Sequence, residues 1–204
     1  MKKIIAIASL CGLASTVSAQ SAFEGAFGQI GIGYESTSTK VTGAEAAAGV
    51  SVGNSNSLTG NVSAGYYFGL TKTFLLGLGA DYSPLASQKS NLTINGVVFG
   101  NQKKTNSYNI FVSPAIALDK NKLAYAKLGY TGASTVQEIP GVFSQTINYR
   151  GYSLGLGYKQ MFTNGLYGFA EGNYAMYGKR NIENNGGAYQ LSGMNFLVGV
   201  GYKF

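Results

Sequence analysis

The chain has 204 residues, with fifteen basic and eight acidic side chains, thirty glycines, fifteen tyrosines, three prolines, one cysteine, and neither histidine nor tryptophan. This composition excludes histidine-based catalysis and histidine metal sites and any intrachain disulfide. After the N-terminal segment no stretch reaches the eighteen or so unbroken apolar residues of a membrane helix, and the basic residues are scattered rather than set with aromatics along a stripe, so no nucleic-acid partner is expected.

Residues 1–19 are laid out as a secretory signal peptide: Lys2 and Lys3, an apolar run from Ile4 to Leu13, then Val17-Ser18-Ala19 before Gln20. Small residues two positions apart suit signal peptidase, and the apolar run is too short to span a membrane. The mature chain, 20–204, is expected to leave the cytoplasm as one domain. Cys11 falls within the signal, and Leu10 before it is unlike the small residue of a lipoprotein cleavage site. Without Lys2 and Lys3, thirteen basic residues face eight acidic ones, a formal charge of +5.

From there the chain alternates with a period of two. A first strand runs from Phe27 to Glu35, with Ile30, Ile32 and Tyr34 on one face and Gln29, Gly31, Gly33 and Glu35 on the other. A long polar stretch, Ser36 to Ser57, leads to a second strand, Leu58 to Phe68. Gly69 to Thr73 is a short turn into a third strand, Phe74 to Tyr82, which sends Phe74, Leu76, Leu78, Ala80 and Tyr82 outward and Asp81 inward. A second long segment, Ser83 to Asn106, precedes a fourth strand marked by Tyr108, Ile110, Val112 and Ile116. Pro114 within it cannot donate to a ladder and predicts a bulge or local gap.

Asp119 to Lys122 is a tight turn. The fifth strand, Leu123 to Thr131, is oriented by Lys127, whose charge turns it inward. Gly132 to Thr146 reads as a third long connection. Strand six, Tyr149 to Gln160, turns Tyr152, Leu154, Leu156 and Tyr158 outward and Lys159 inward, and Phe162 to Gly165 is the third short turn. Strand seven, Leu166 to Tyr177, carries Glu171 and Asn173 inside. After a fourth long loop, Gly178 to Gln190, the last strand places Phe196, Val198, Val200, Tyr202 and Phe204 on one face and Asn195, Gly199, Gly201 and Lys203 on the other.

Eight strands with connections alternating long and short put both termini and all short turns at one end. The expected fold is all-β, an eight-stranded antiparallel up-and-down transmembrane β-barrel with short periplasmic turns and four long extracellular loops. The outward aromatics agree: Phe68, Phe74, Tyr158, Tyr202 and Phe204 gather at the short-turn end, and Tyr34, Tyr82, Tyr108, Tyr130, Tyr152 and Tyr174 at the other. Two belts at two membrane interfaces account for both sets.

The terminal phenylalanine preceded by alternate apolar residues, Leu128-Gly129-Tyr130, Gly155-Leu156-Gly157-Tyr158 and Ala170-Glu171-Gly172-Asn173-Tyr174 together resemble the small outer-membrane barrels of Gram-negative bacteria, the opacity-protein-like superfamily. The resemblance implies residence in the outer membrane among lipid and lipopolysaccharide. It also implies that the barrel assembly machinery reads the C-terminal strand at Phe196, Val198, Val200, Tyr202 and Phe204. The lipid A deacylases and omptin-type proteases of such barrels use a histidine base, which this chain lacks.

Asp81 and Glu171 are the one conceivable catalytic pair. They are better read as part of a lumenal charge cluster with Lys127, Lys159 and Lys203, and with Arg150 as a further candidate, because an unpaired charge in a narrow lumen is costly. Inward glycines leave room for Phe111, Tyr67 and Tyr125, and eight strands leave an interior filled by side chains. Lys89, Lys103, Lys104, Lys179 and Arg180 are expected near the outer leaflet. No catalytic residue, cofactor or metal is expected. The reading is a non-enzymatic surface protein acting in envelope integrity, in adhesion or as an antigen, with a possible host or cell-surface ligand at the loops; the alternative is porin-like transport of small solutes or apolar molecules.

Overall fold

The computed structural model describes residues 21–181 and 187–204; the segment read as a signal peptide lies outside them. Eight strands carry the architecture: β1 Gly25–Gly43, β2 Ser55–Gly69, β3 Phe74–Ser83, β4 Val97–Asp119, β5 Lys122–Ile139, β6 Phe143–Met161, β7 Leu166–Tyr177 and β8 Gly187–Lys203. Each pairs antiparallel with its neighbour in sequence, and β8 pairs with β1, so the sheet closes into a ring without a free edge through its main body. Strand pairing satisfies the backbone groups, the condition for crossing a bilayer with strands.

The stagger of the ring follows from its pairs. Phe27 pairs with Gly65, and Gly79, Phe111, Gly129, Ser153, Ala175 and Gly193 follow in turn. The last pairs with Thr37, ten residues beyond Phe27 on the starting strand. With eight strands at ordinary spacing this shear tilts them about 40° from the axis, within the range of small closed barrels.

Alternation divides the two faces as the sequence indicates. Ile30, Ile32, Val62, Leu78, Ile110, Leu128, Leu154, Leu156, Val198 and Val200 are exposed on the outer wall, and every residue of the two aromatic belts is exposed as well. Gln29, Asn61, Ser63, Ser113, Lys127, Thr131, Lys159 and Glu171 are buried inside. At Pro114 the ladder to β3 continues, whereas on the β5 side the bridges pass from Val112–Leu128 to Ala115–Tyr125, leaving the expected gap.

The strand ends at the long-connection side differ from the alternation-based boundaries. β1 continues to Gly43, β4 begins at Val97, and β8 begins at Gly187. Gly132 to Thr146 stays in ladder, with β5 and β6 meeting at a tight turn of residues 140–142 in which Gly141 takes φ +74°. Ser90–Ile94 folds back on the start of β4, Val50–Val52 pairs with it, and Arg180–Asn181 pairs with β8. Polar residues fill both faces here, so the apolar signal that marks a strand end in the bilayer stops several residues before the hydrogen bonding does.

Candidate functional site

The lumen is filled in layers. At the short-turn end, Phe27, Tyr67, Leu75, Phe111, Leu123, Tyr125, Met161, Tyr167 and Phe169 form one buried cluster. Inward glycines make the space for it: a Cβ at Gly77 would lie 2.6 Å from the Tyr67 ring, and one at Gly157 2.3 Å from that of Tyr125. Phe23, just ahead of β1, is buried among these residues and meets Tyr167 edge to face at 5.9 Å. Sequence reasoning missed this plug, because residues before the first strand carry no alternation to reveal their direction.

Lys159 enters this layer with its ammonium 4.0 Å from the Phe27 ring centroid, 4.8 Å from Tyr167, 5.0 Å from Tyr67 and 5.3 Å from Tyr125. Its Nζ donates a long 3.5 Å bond to the Tyr167 hydroxyl, which itself donates to Gln29 at 3.0 Å. Ring faces, rather than a carboxylate, offset its charge.

At mid-height the charges do converge. Lys127 Nζ lies 2.5 Å from Asp81 and 3.0 Å from Glu171, and 4.2 Å from the Phe111 ring centroid. Ser63 and Asn109 donate to Asp81 at 2.5 and 3.3 Å, and Tyr125 and Asn173 donate to Glu171 at 2.8 and 2.9 Å. Both carboxylates therefore have several donors, as buried charges require.

The expected cluster is thus brought together only in part. Asp81, Lys127 and Glu171 form one network, while Lys159 sits in the aromatic layer. Leu197 pairs with Glu171, and Lys203, six positions further along β8, lies half-buried at the short-turn rim beside Gly25. Arg150 is exposed on the outer face of β6.

A second pair was not foreseen. Lys104 is buried and bonded to Glu35, with a further 3.4 Å bond to Ser107. Counting back by twos from the outward Tyr108 would send Lys104 outward, but the β4–β5 register shifts by one at Thr105 and reverses that parity. Only the unpartnered Glu35, inward on β1, could have signalled that a cation was required opposite. Above this pair Gln137 donates to Gln102 at 2.8 Å, and Gln102 donates to Thr39 at 3.2 Å. Between the two charged levels lies a cavity of about 60 Å³, bordered by Asn61, Asn109, Asn173 and Asn195. It has room for a few waters.

Beyond the upper aromatic belt the arms carry exposed Val97, Val98, Val142 and Phe143 at their tips, and Lys89 pairs with Glu138 at 2.9 Å. Hydrogen bonding to Lys89 holds the Glu138 carboxyl below its ordinary value. Among the described residues no group of three or more His, Cys, Asp or Glu converges as a metal site would need.

A closed antiparallel ring with an apolar outer band between aromatic belts and a polar, filled interior is a transmembrane β-barrel of the bacterial outer-membrane kind. The chain belongs to the outer membrane protein beta-barrel domain family, whose profile matches residues 5–204. No curated protein matches the sequence.

Three solved structures are similar in fold. OprG from Pseudomonas aeruginosa has a TM-score of 0.60 at 12% identity, covering 92% of this chain and 99% of its own. Ail, the attachment invasion locus protein of Yersinia pestis, in complex with the heparin analogue sucrose octasulfate, has a TM-score of 0.53 at 15% identity, covering 89% and 99%. The outer membrane protease OmpT from Escherichia coli has a TM-score of 0.53 at 10% identity, covering 93% and 99%. The protein is a Gram-negative outer-membrane barrel, and a fold shared with a protease leaves the activity to be argued from the site.

Proposed function

We propose that this barrel is a closed, non-catalytic surface protein whose extended extracellular arms engage a partner. The observation that carries the reading is the occupied lumen: Lys127 bridges Asp81 and Glu171 at mid-height, and a buried aromatic layer with Phe23 lies beneath it. A solute crossing here would have to break a buried ion triad and displace packed rings. Arms of this length are unnecessary for spanning a bilayer, which supports a role outside it. The likeness to Ail, an attachment protein by its name, is consistent with that role. Catalysis is disfavoured because Asp81 and Glu171 are each held by the same lysine and by further donors, which leaves neither free as a base.

The test is conductance of the purified barrel in planar bilayers, alongside binding of cells that display it. No discrete ion steps are expected, together with adhesion that is lost when residues 88–102 and 138–147 are shortened. Reproducible unitary steps would favour the transport alternative instead.

A further inference from the structure

We infer that the chamber between the two charged levels of the lumen is a site for one monovalent metal cation, sodium or potassium, held between the Asn61 side-chain oxygen and the Asp81 carboxylate. The site goes beyond the surface-interaction reading and does not depend on it.

Asn61 and Ser63 lie two residues apart on β2 and face the lumen together. Ser63 is opposite Asp81 in the β2–β3 ladder, and its hydroxyl donates to that carboxylate at 2.5 Å. Its one proton is thereby used, so towards Asn61 it can only accept, and it takes a 3.4 Å bond from the Asn61 Nδ2. That fixes the amide: Nδ2 turns to Ser63 and Oδ1 turns away. Asn61 is 5% exposed and borders the chamber, and its Oδ1 is buried without a hydrogen-bond partner. The same oxygen lies 2.7 Å from where a Cβ on the inward Gly31 would project, which places it inside the lumen and not in the wall.

A buried acceptor can be met by water or by a cation, and the charge around the chamber favours the cation. Glu35 and Asp81 border it against Lys104 alone, two carboxylates to one ammonium, a formal −1. Adding Lys127 and Glu171, bonded to each other just beneath, leaves the balance unchanged. Lys159 is held on ring faces in the layer below. Net charge kept in a narrow lumen is costly, and one monovalent cation brings it to zero. A divalent ion would overshoot, and among the described residues no group of three or more acidic side chains gathers to hold one. The volume of about 60 Å³ takes a small ion with a few waters completing its shell. Asp81 keeps 12% of its side-chain exposure, so solvent reaches the site.

The experiment uses the full barrel in non-ionic detergent micelles with sodium chloride as probe. Choline chloride, whose cation is too large for the chamber, holds the ionic strength constant. Sodium NMR linewidths and thermal unfolding midpoints are read together. The parent is expected to broaden the sodium signal, with potassium competing, and to unfold at higher temperature as sodium replaces choline. Asn61→Leu removes the acceptor at similar volume and should weaken sodium binding about tenfold, the factor for losing one bond to a charge. Asp81→Asn should abolish the binding. Heat-modifiable migration reports whether each variant is folded, and the comparison of salts on the parent needs neither. Equal midpoints in the two salts with no broadening mean that the chamber holds water only, and overturn the inference. Parental broadening in a folded Asn61→Leu or Asp81→Asn barrel places the ion elsewhere and overturns it as well.

Discussion

Lys127 and Lys159 are both buried inward-facing lysines, and their surroundings give them opposite sensitivities to substitution. Removing the Lys127 ammonium leaves Asp81 and Glu171 facing each other in the lumen, and breaking a buried ion pair in this way costs about 3–5 kcal/mol. Lys127→Met is expected to unfold at much lower denaturant in micelles, and adding Asp81→Asn and Glu171→Gln should restore most of the loss. Lys159 makes no ion pair among the described residues and is held by four ring faces. Each such contact contributes about 0.5–2 kcal/mol against a desolvation cost of several. Lys159→Met should leave stability within about 1 kcal/mol of the parent or raise it. If denaturant midpoints fall equally for the two methionine variants, the separation of these lysines into different layers is wrong.

At the scale of the strands, the Thr105 shift in β4 puts Lys104 and Tyr108 on opposite faces. Deleting Thr105 would straighten the ladder with Lys104 still opposite Thr135 and next to Asn106 opposite Ser134. Lys104 would therefore stay inward on Glu35, whereas Lys104→Gln removes that cation. The deletion should therefore cost much less than Lys104→Gln, which leaves Glu35 buried without its cation; equal losses in chemical unfolding would rule this out. This shift also marks how far the fold was legible. Wherever lipid covers one face, hydrophobic alternation set the register and gave the direction of Asp81, while in the fifth and seventh strands the charges of Lys127 and Glu171 themselves chose which face turned inward. Above the upper belt water lies outside and polar side chains lie inside, so a strand such as Thr37 to Gly43 carries no contrast and reads as a loop. A one-residue bulge in that region leaves no trace in composition. The arm tips offer a pH test of the same strands. Glu138 has a lowered pKa in the fold, so its bond to Lys89 stabilises the β5–β6 arm above the ordinary glutamate value and is lost as pH falls through the lowered one. Amide protection at residues 139–143, taken relative to the intrinsic exchange rate at each pH, should therefore fall on acidification below about pH 4, and Glu138→Gln should abolish that fall.

For the whole molecule, closure depends on β8 finding β1, because that seam joins the two ends of the chain over Phe27–Lys203 to Gly43–Gly187. We propose that Phe196, Val198, Val200, Tyr202 and Phe204, all exposed on the outer wall, also serve as the assembly signal that the insertion machinery reads. Their alternation gives one continuous apolar row on the last strand, and Tyr202 packs edge to face on Phe204 at 5.3 Å. Phe204 is the most exposed of the five at 75%, so little native packing is lost when it is changed. Lys203, its neighbour, faces the lumen side at the rim. A defect caused by Phe204→Asp therefore reports recognition and lipid contact more than barrel stability, whereas Lys203→Gln alters neither. The expected outcome is a severalfold drop in heat-modifiable barrel in outer-membrane fractions for Phe204→Asp and parental levels for Lys203→Gln. Refolding of both purified variants into detergent separates the causes. Phe204→Asp that refolds normally in vitro yet fails to insert in cells places the defect in assembly, and equal insertion of both variants in cells would remove the signal from this row.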